Sequence, residues 1–253
     1  SQELISNNRI KYGYVWQGRQ YEGLSCVFIE VLQGKGGEWL SADNLVALNS
    51  EEAIDSAKWL KNLIKKGVSP KSVRNFSENE ALQSFLSGDA AFMRNWPYAW
   101  AELQKESSKV KGKVGITTMV SNEKGQATST LGSWGFSITK DSVNKEEAFE
   151  VIKYLTSEES QRKLFINNGY TPTLRSLYAD EHLKESFPIL VDLDSALKKT
   201  QPRPMSPLYA QISDSLQRQL SNIILGKMEP EEGMVIAQNN TKGIISSAGY
   251  KRY

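Results

Sequence analysis

Residues 77–100, SENEALQSFLSGDAAFMRNWPYAW, constrain the fold more than any other stretch. Ser77 with Glu80 three residues later is a capping box, which opens a helix carrying Leu82, Phe85 and Leu86. Gly88 ends that helix. The apolar run AAFMR then suits a buried strand. Proline favours the first helical turn, so PYAWAELQKES is predicted to begin a second helix at Pro97. Helix, strand and helix in so short a span call for a sheet covered by helices, an α/β class.

The rest of the chain keeps this alternation. An earlier strand precedes WQGRQYEGL. Asn49 to Glu52 resembles a capping box, and the helix after it places Ile54, Ala57, Leu60 and Ile64 on one face before Gly67. KVGITTM (113–119) and SWGFSIT (133–139) are predicted as strands, joined by the polar VSNEKGQATSTLG. Two helices follow, from Asn144 and from Thr156, and Gly169 closes the second. Past the proline-rich loop QPRPMSPLY, Leu208, Ile212, Leu216, Leu220 and Ile223 form a stripe ending at Gly226. Pro230 opens a last helix.

Charge and residue counts narrow the function. Lys and Arg number 31 against 29 Asp and Glu, so no strongly basic surface points to nucleic acid. With one cysteine and one histidine, a zinc site cannot be assembled, and no metal or cofactor is expected. Cys26 reads as a small core residue and His182 as a solvated one. No apolar run reaches the roughly 18–20 residues that cross a bilayer. The nucleophile-elbow, phosphate-loop and H-E-x-x-H patterns are missing, and GKGGEW lacks the third glycine of a dinucleotide fingerprint. No catalytic residue is expected.

Aromatic residues at turns remain: Trp16, Tyr21, Trp96, Tyr98, Trp134 and Tyr209. Sugars present apolar C–H faces and polar edges. Rings cover the first while amides, carboxylates and arginine bond the second. Such rings also serve as core residues, because they bury much area. Trp59 and Trp100, on helix faces, fit the core best. Trp96 and Trp134, beside proline or glycine at strand ends, fit a ligand best.

Taken in order, FLSGDAAFMRNWPYAW, LGSWGFSITKDSVNKEEAFEVIKYLTSEESQRKLF and RPMSPLYAQISDSLQRQLSNIILGKMEPEEGM resemble the solute-binding proteins of carbohydrate ABC importers, nearest the maltose and trehalose binders. VWQGRQYEGLSCVFIEVL is similar to a segment of the trehalose type. The resemblance implies a periplasmic-binding-protein-like fold, with αβα lobes joined by a hinge and closing on a di- or oligosaccharide. It implies sugar contacts for Tyr21, for Trp96 or its neighbour Tyr98, for Ser133 and Trp134 at the family's G-G-W turn, and for Arg203 and Tyr209 near the R-P-x-x-P loop. Serine replaces the second glycine of that turn at position 133. Arg203 has a second reading, a salt bridge that holds its own loop.

The same resemblance puts 1–130 and 172–253 in the C-terminal lobe and 131–171 in an excursion to the other lobe. The chain is therefore expected to be the C-terminal part of a longer protein. The partners it implies are a carbohydrate and the importer's permease subunits, in the periplasm or outside the cell at the membrane, with a lipid anchor in the missing N-terminal region of the longer protein. A glycoside-active enzyme using the same aromatic cleft is the alternative, and a structural interaction domain is a third.

Overall fold

The computed structural model describes residues 2–7, 10–41 and 45–249. Its elements in chain order begin with α1 (Gln2–Ser6), β1 (Tyr12–Val15), α2 (Glu22–Gly34), α3 (Glu51–Lys65), α4 (Glu78–Leu86), β2 (Ala90–Met93) and α5 (Ala99–Leu103). Next come β3 (Ser129–Thr130), α6 (Lys145–Leu155), α7 (Glu158–Asn168), α8 (Arg175–Ala179), α9 (Glu181–Ser186) and α10 (Ile189–Leu197). The last are β4 (Thr200–Gln201), α11 (Tyr209–Ile224) and α12 (Pro230–Ser247). They form two compact units. Unit one holds the described residues up to Asn95, Thr118–Thr130 and those from Lys199; unit two holds Trp96–Thr117 and Leu131–Lys198. The stretch 131–171 falls in unit two, together with 96–117 and 172–198.

In unit one, β1 runs parallel to β2, pairing Tyr12 with Ala90 and Val15 with Met93. β3 runs parallel to β4, with Ser129 opposite Thr200. The core is built by helix stripes. Leu24, Val27, Phe28 and Leu32 of α2 meet Ala57, Leu60 and Ile64 of α3 and Ile212, Leu216, Leu220 and Ile223 of α11. Each fully buried aliphatic side chain contributes about 1.5–3 kcal/mol. Ile54 only borders this core. Trp16 is completely buried, and its indole N–H donates to Ser69 Oγ at 3.0 Å, so this turn aromatic is core.

Local signals set the helix ends. Glu80 Oε2 accepts from the Ser77 backbone N–H at 2.7 Å and from its hydroxyl at 2.5 Å. α3 is capped one residue later than Asn49, by Ser50, whose Oγ accepts from the Ala53 N–H. α5 starts at Ala99, two residues beyond Pro97.

Unit two packs Phe165, Leu177, Leu183, Ile189, Leu190 and Leu193 together, with Trp100 against their edge. Phe165 and Phe187 meet edge to face at 5.5 Å. Gly169 closes α7 at φ 71°, where a side chain would be strained and a Cβ would stand 2.8 Å from Ala101 Cβ. α6 buries none of its residues, and Phe149, Val151 and Tyr154 are exposed.

The strands expected at 113–119 and 133–139 are irregular in the structure. A strand persists only where a second backbone takes up its N–H and C=O groups. Among the described residues these two segments take part in no strand pairing.

Candidate functional site

The N-terminus of α2 gathers much of the polar chemistry of unit one. Tyr21 is its N-cap residue, in extended backbone. Its hydroxyl donates to Glu78 Oε2 at 2.8 Å. The ring folds over Gly23, where a Cβ would stand 2.3 Å from the phenol oxygen, so only glycine leaves room for it. Burial, reinforced by the bond to Glu78, pushes the Tyr21 phenol well above its ordinary range. It stays a neutral donor.

Glu22, the first residue of α2, is the hub. Its position in the first turn suits a negative charge. Arg203 Nη1 donates to Glu22 Oε1 at 2.8 Å, and the Tyr209 hydroxyl donates to the same oxygen at 2.5 Å. Ser213 Oγ donates to Oε2 at 2.7 Å. Gln217 Nε2 lies 3.0 Å from Ser213 Oγ and 3.5 Å from Glu22 Oε2. The Arg203 guanidinium also stands 5.6 Å from the Tyr209 ring centroid, within cation–π reach. Burial, then the bond to Glu22, raises the Tyr209 phenol far above its usual range.

Sequence spacing explains the convergence. Tyr209, Ser213 and Gln217 recur every fourth residue, so they share one face of α11. The apolar stripe through Ile212, Leu216 and Leu220 runs beside that row and docks α11 in the core. Arg203 is held between Pro202 and Pro204, which restrict the backbone on both sides. Its side chain is about one-third exposed, as is that of Glu22.

Tyr21, Arg203 and Tyr209 thus lie at or beside the start of α2, and Arg203 makes the expected alternative contact, an ion pair. Glu22, Ser213 and Gln217 escaped the sequence reading. The polar row beside the stripe of α11 was the signal available for the last two.

The other expected contacts lie in unit two. Trp96, three residues after β2 in sequence, is half-buried, with its ring over Gly132, where a Cβ would stand 2.8 Å from Cζ3. Tyr98 is half-buried as N-cap of α5. Ser133 is exposed, and Trp134 is 97% exposed.

Unit one holds a second polar cluster. Glu30 and Arg94 are 2% and 4% exposed. Arg94 Nε and Nη2 bind the two Glu30 oxygens at 3.0 and 2.8 Å. Burial opposes the Arg94 charge, but the Glu30 carboxylate outweighs it and holds the guanidinium above its ordinary range. Among the described residues no group of His, Cys, Asp and Glu is arranged to hold a metal ion.

A family model described as "Bacterial extracellular solute-binding protein" matches residues 1–162. A Deinococcus radiodurans protein named "Probable ABC transporter-binding protein" is 31% identical over 86% of the chain and 53% of its own length. The maltose-bound MalE3 structure of T. maritima is 35% identical, with a TM-score of 0.92 over 96% of the chain and 63% of that protein. An ABC transporter solute-binding protein of Agrobacterium radiobacter K84, in complex with ribitol, is 26% identical with a TM-score of 0.85, over 96% and 64%. The chain spans about half the length of the curated relatives it matches. Over the matched part it has the periplasmic-binding-protein-like fold.

Proposed function

The chain belongs to the bacterial extracellular solute-binding protein family, and on that premise we propose that it is the sugar-binding component of an ABC importer. Its ligand is a di- or oligosaccharide of the maltose or trehalose kind. The observation that carries this reading is the cluster at the start of α2, where the aromatic body of Tyr209 stands beside charged and hydroxyl groups on one carboxylate, Glu22. Pockets for sugars need that mixture of ring and placed polar groups. Arg203 and Tyr209 act there on Glu22, with Tyr21, bound to Glu78, beside them. The same reading assigns Trp96, Tyr98, Ser133 and Trp134 to sugar contact as a separate group in unit two. Binding occurs without turnover.

The loaded protein delivers its sugar to permease subunits of the importer, outside the cytoplasm and held at the membrane by a lipid anchor. Among the described residues no helix is long and apolar enough to cross a membrane. The excursion at 131–171 is proposed to complete a lobe whose other strands lie elsewhere in a longer protein, which the bare apolar face of α6 supports.

Calorimetric titration of the chain with maltose, trehalose, maltotriose and ribitol, with recovery of each sugar, tests this. Saturable heat with maltose or trehalose and unaltered sugar is expected. Cleavage of the sugar, or heat with ribitol alone, would overturn the reading.

A further inference from the structure

The Tyr209 ring, whose hydroxyl donates to Glu22, touches an indole as well as a guanidinium. The Trp39 and Tyr209 ring centroids are 6.0 Å apart, with the planes tilted by 55°. Trp39 is 4% exposed and belongs to the core of unit one. Its buried Nε1 has no hydrogen-bond partner among the described residues.

The backbone of Trp39 is fixed from another direction. Its carbonyl accepts from the Ala47 N–H at 3.0 Å, the Ser41 N–H donates to the Leu45 carbonyl at 3.0 Å, and Leu40 bridges antiparallel to Val46. Gln238 of α12, itself buried, fastens the returning segment. Its Nε2 donates to the Val46 carbonyl at 2.6 Å, and its Oε1 accepts from the Leu48 N–H at 2.7 Å. Trp39 is thus anchored through α12 while its ring reaches the first residue of α11.

For filling a core, this is a costly choice. A buried tryptophan ordinarily finds an acceptor for its N–H, and leaving that donor unpaired is unfavourable. Phenylalanine or leucine would fill the space without that cost. What the indole adds is a broad, rigid face against Tyr209. Tyr209 needs one. A helical side chain leans back on the turn before it, and Tyr209 opens α11, so its helix offers no such turn. Yet its hydroxyl meets a single oxygen, Glu22 Oε1, at 2.5 Å.

We propose that Trp39 is a positioning residue: it backs the Tyr209 ring, holds the phenol on Glu22 and so sets the geometry of the cluster at the start of α2. The consequence for sugar rests on the function proposed above, while the positioning itself does not.

The first test needs no sugar. Denaturant unfolding is measured for the parent chain, Trp39→Leu, Glu22→Gln and the two together. If Trp39 acts on Glu22 through Tyr209, the effects on the unfolding equilibrium constant depart from multiplicative by about threefold or more. In a Tyr209→Phe background, which has no hydroxyl to aim, the departure is expected to vanish. Multiplicative effects to within about twofold, or a departure that persists with Tyr209→Phe, would overturn the proposal. Should Trp39→Leu not fold, Trp39→Phe runs the same cycle, since it loses the wide face of the indole, and the same outcomes decide. The second test reads maltose affinity by calorimetry. Trp39→Leu is expected to weaken it about tenfold in the parent and less than about twofold in a Tyr209→Leu background, because a pre-set ring is then no longer there to be lost. Equal losses in both backgrounds would make Trp39 a core residue with no route through Tyr209. A parent chain that binds no maltose would overturn the sugar reading alone, and the unfolding cycle would still judge Trp39.

Discussion

The Tyr209 hydroxyl donates to Glu22 Oε1 at 2.5 Å, joining the first residue of α11 to the first residue of α2 across most of the chain. Arg203 binds the same oxygen. One carboxylate thus orders a tyrosine, an arginine and, through its other oxygen, Ser213. Glu22→Gln keeps the shape and loses the charge. Maltose affinity is expected to fall about tenfold, or about 1.4 kcal/mol. Calorimetry with a parallel melt checks this. A lowered melting temperature with parent affinity would make the cluster a structural cap and nothing more.

Arg203→Lys separates the two roles of the arginine. Lysine keeps the ion pair with Glu22 but cannot present a planar fork of donors. Affinity is expected to drop about as far as in Arg203→Ala, with stability changed by less than about 1 kcal/mol, as for a partly exposed pair. Parent affinity in both variants would remove Arg203 from the sugar contacts.

Trp96 and Trp134 differ in surroundings, which makes a paired test possible. Trp134→Ala removes an almost fully exposed ring and should leave stability within about 0.5 kcal/mol. Gly132→Ala puts a Cβ against the Trp96 ring and should displace it, as should Trp96→Ala remove it. All three are expected to weaken sugar binding while the fold persists. Collapse of the melt in Trp96→Ala would mark Trp96 as core.

Cys26 offers a pH test. Burial pushes its thiol up to about 12 from the usual 9.0. Between those values the unfolded chain releases the proton and the folded chain keeps it, so the contribution is full below pH 9 and is lost as pH rises toward 12. Cys26→Ala should flatten this part of the stability profile. Alkylation of the native thiol at pH 8 should be far slower than in denaturant, because burial both disfavours the thiolate and keeps the reagent out.

The apolar face of α6 predicts association. Ala148, Val151, Ile152 and Leu155 share that face by helical spacing, and Val151 and Leu155 are exposed while none of the four is buried. Sedimentation of the chain should show concentration-dependent self-association, and hydrogen exchange across 144–168 should be fast relative to α11. A monomer at all concentrations with that segment protected would show that the face needs no cover.

The sequence by itself determined what neighbours along the chain decide. Ser77 with Glu80 and the left-handed Gly169 bound their helices because caps form within four residues, whereas α7 is capped by Ser157, one residue after the expected start at Thr156. The stripe of α11 was legible because helical period alone puts Ile212, Leu216 and Leu220 on one side. The family resemblance drew Tyr21, Arg203 and Tyr209 from separate stretches. Only the tertiary structure decided that Glu22 unites two of them and that Glu30 reaches Arg94 and Thr130. Those bonds join residues far apart in sequence, and no period or spacing records such a pair. The segments 113–119 and 133–139 carry strand composition without strand structure for the same reason, since a strand is completed by a backbone elsewhere.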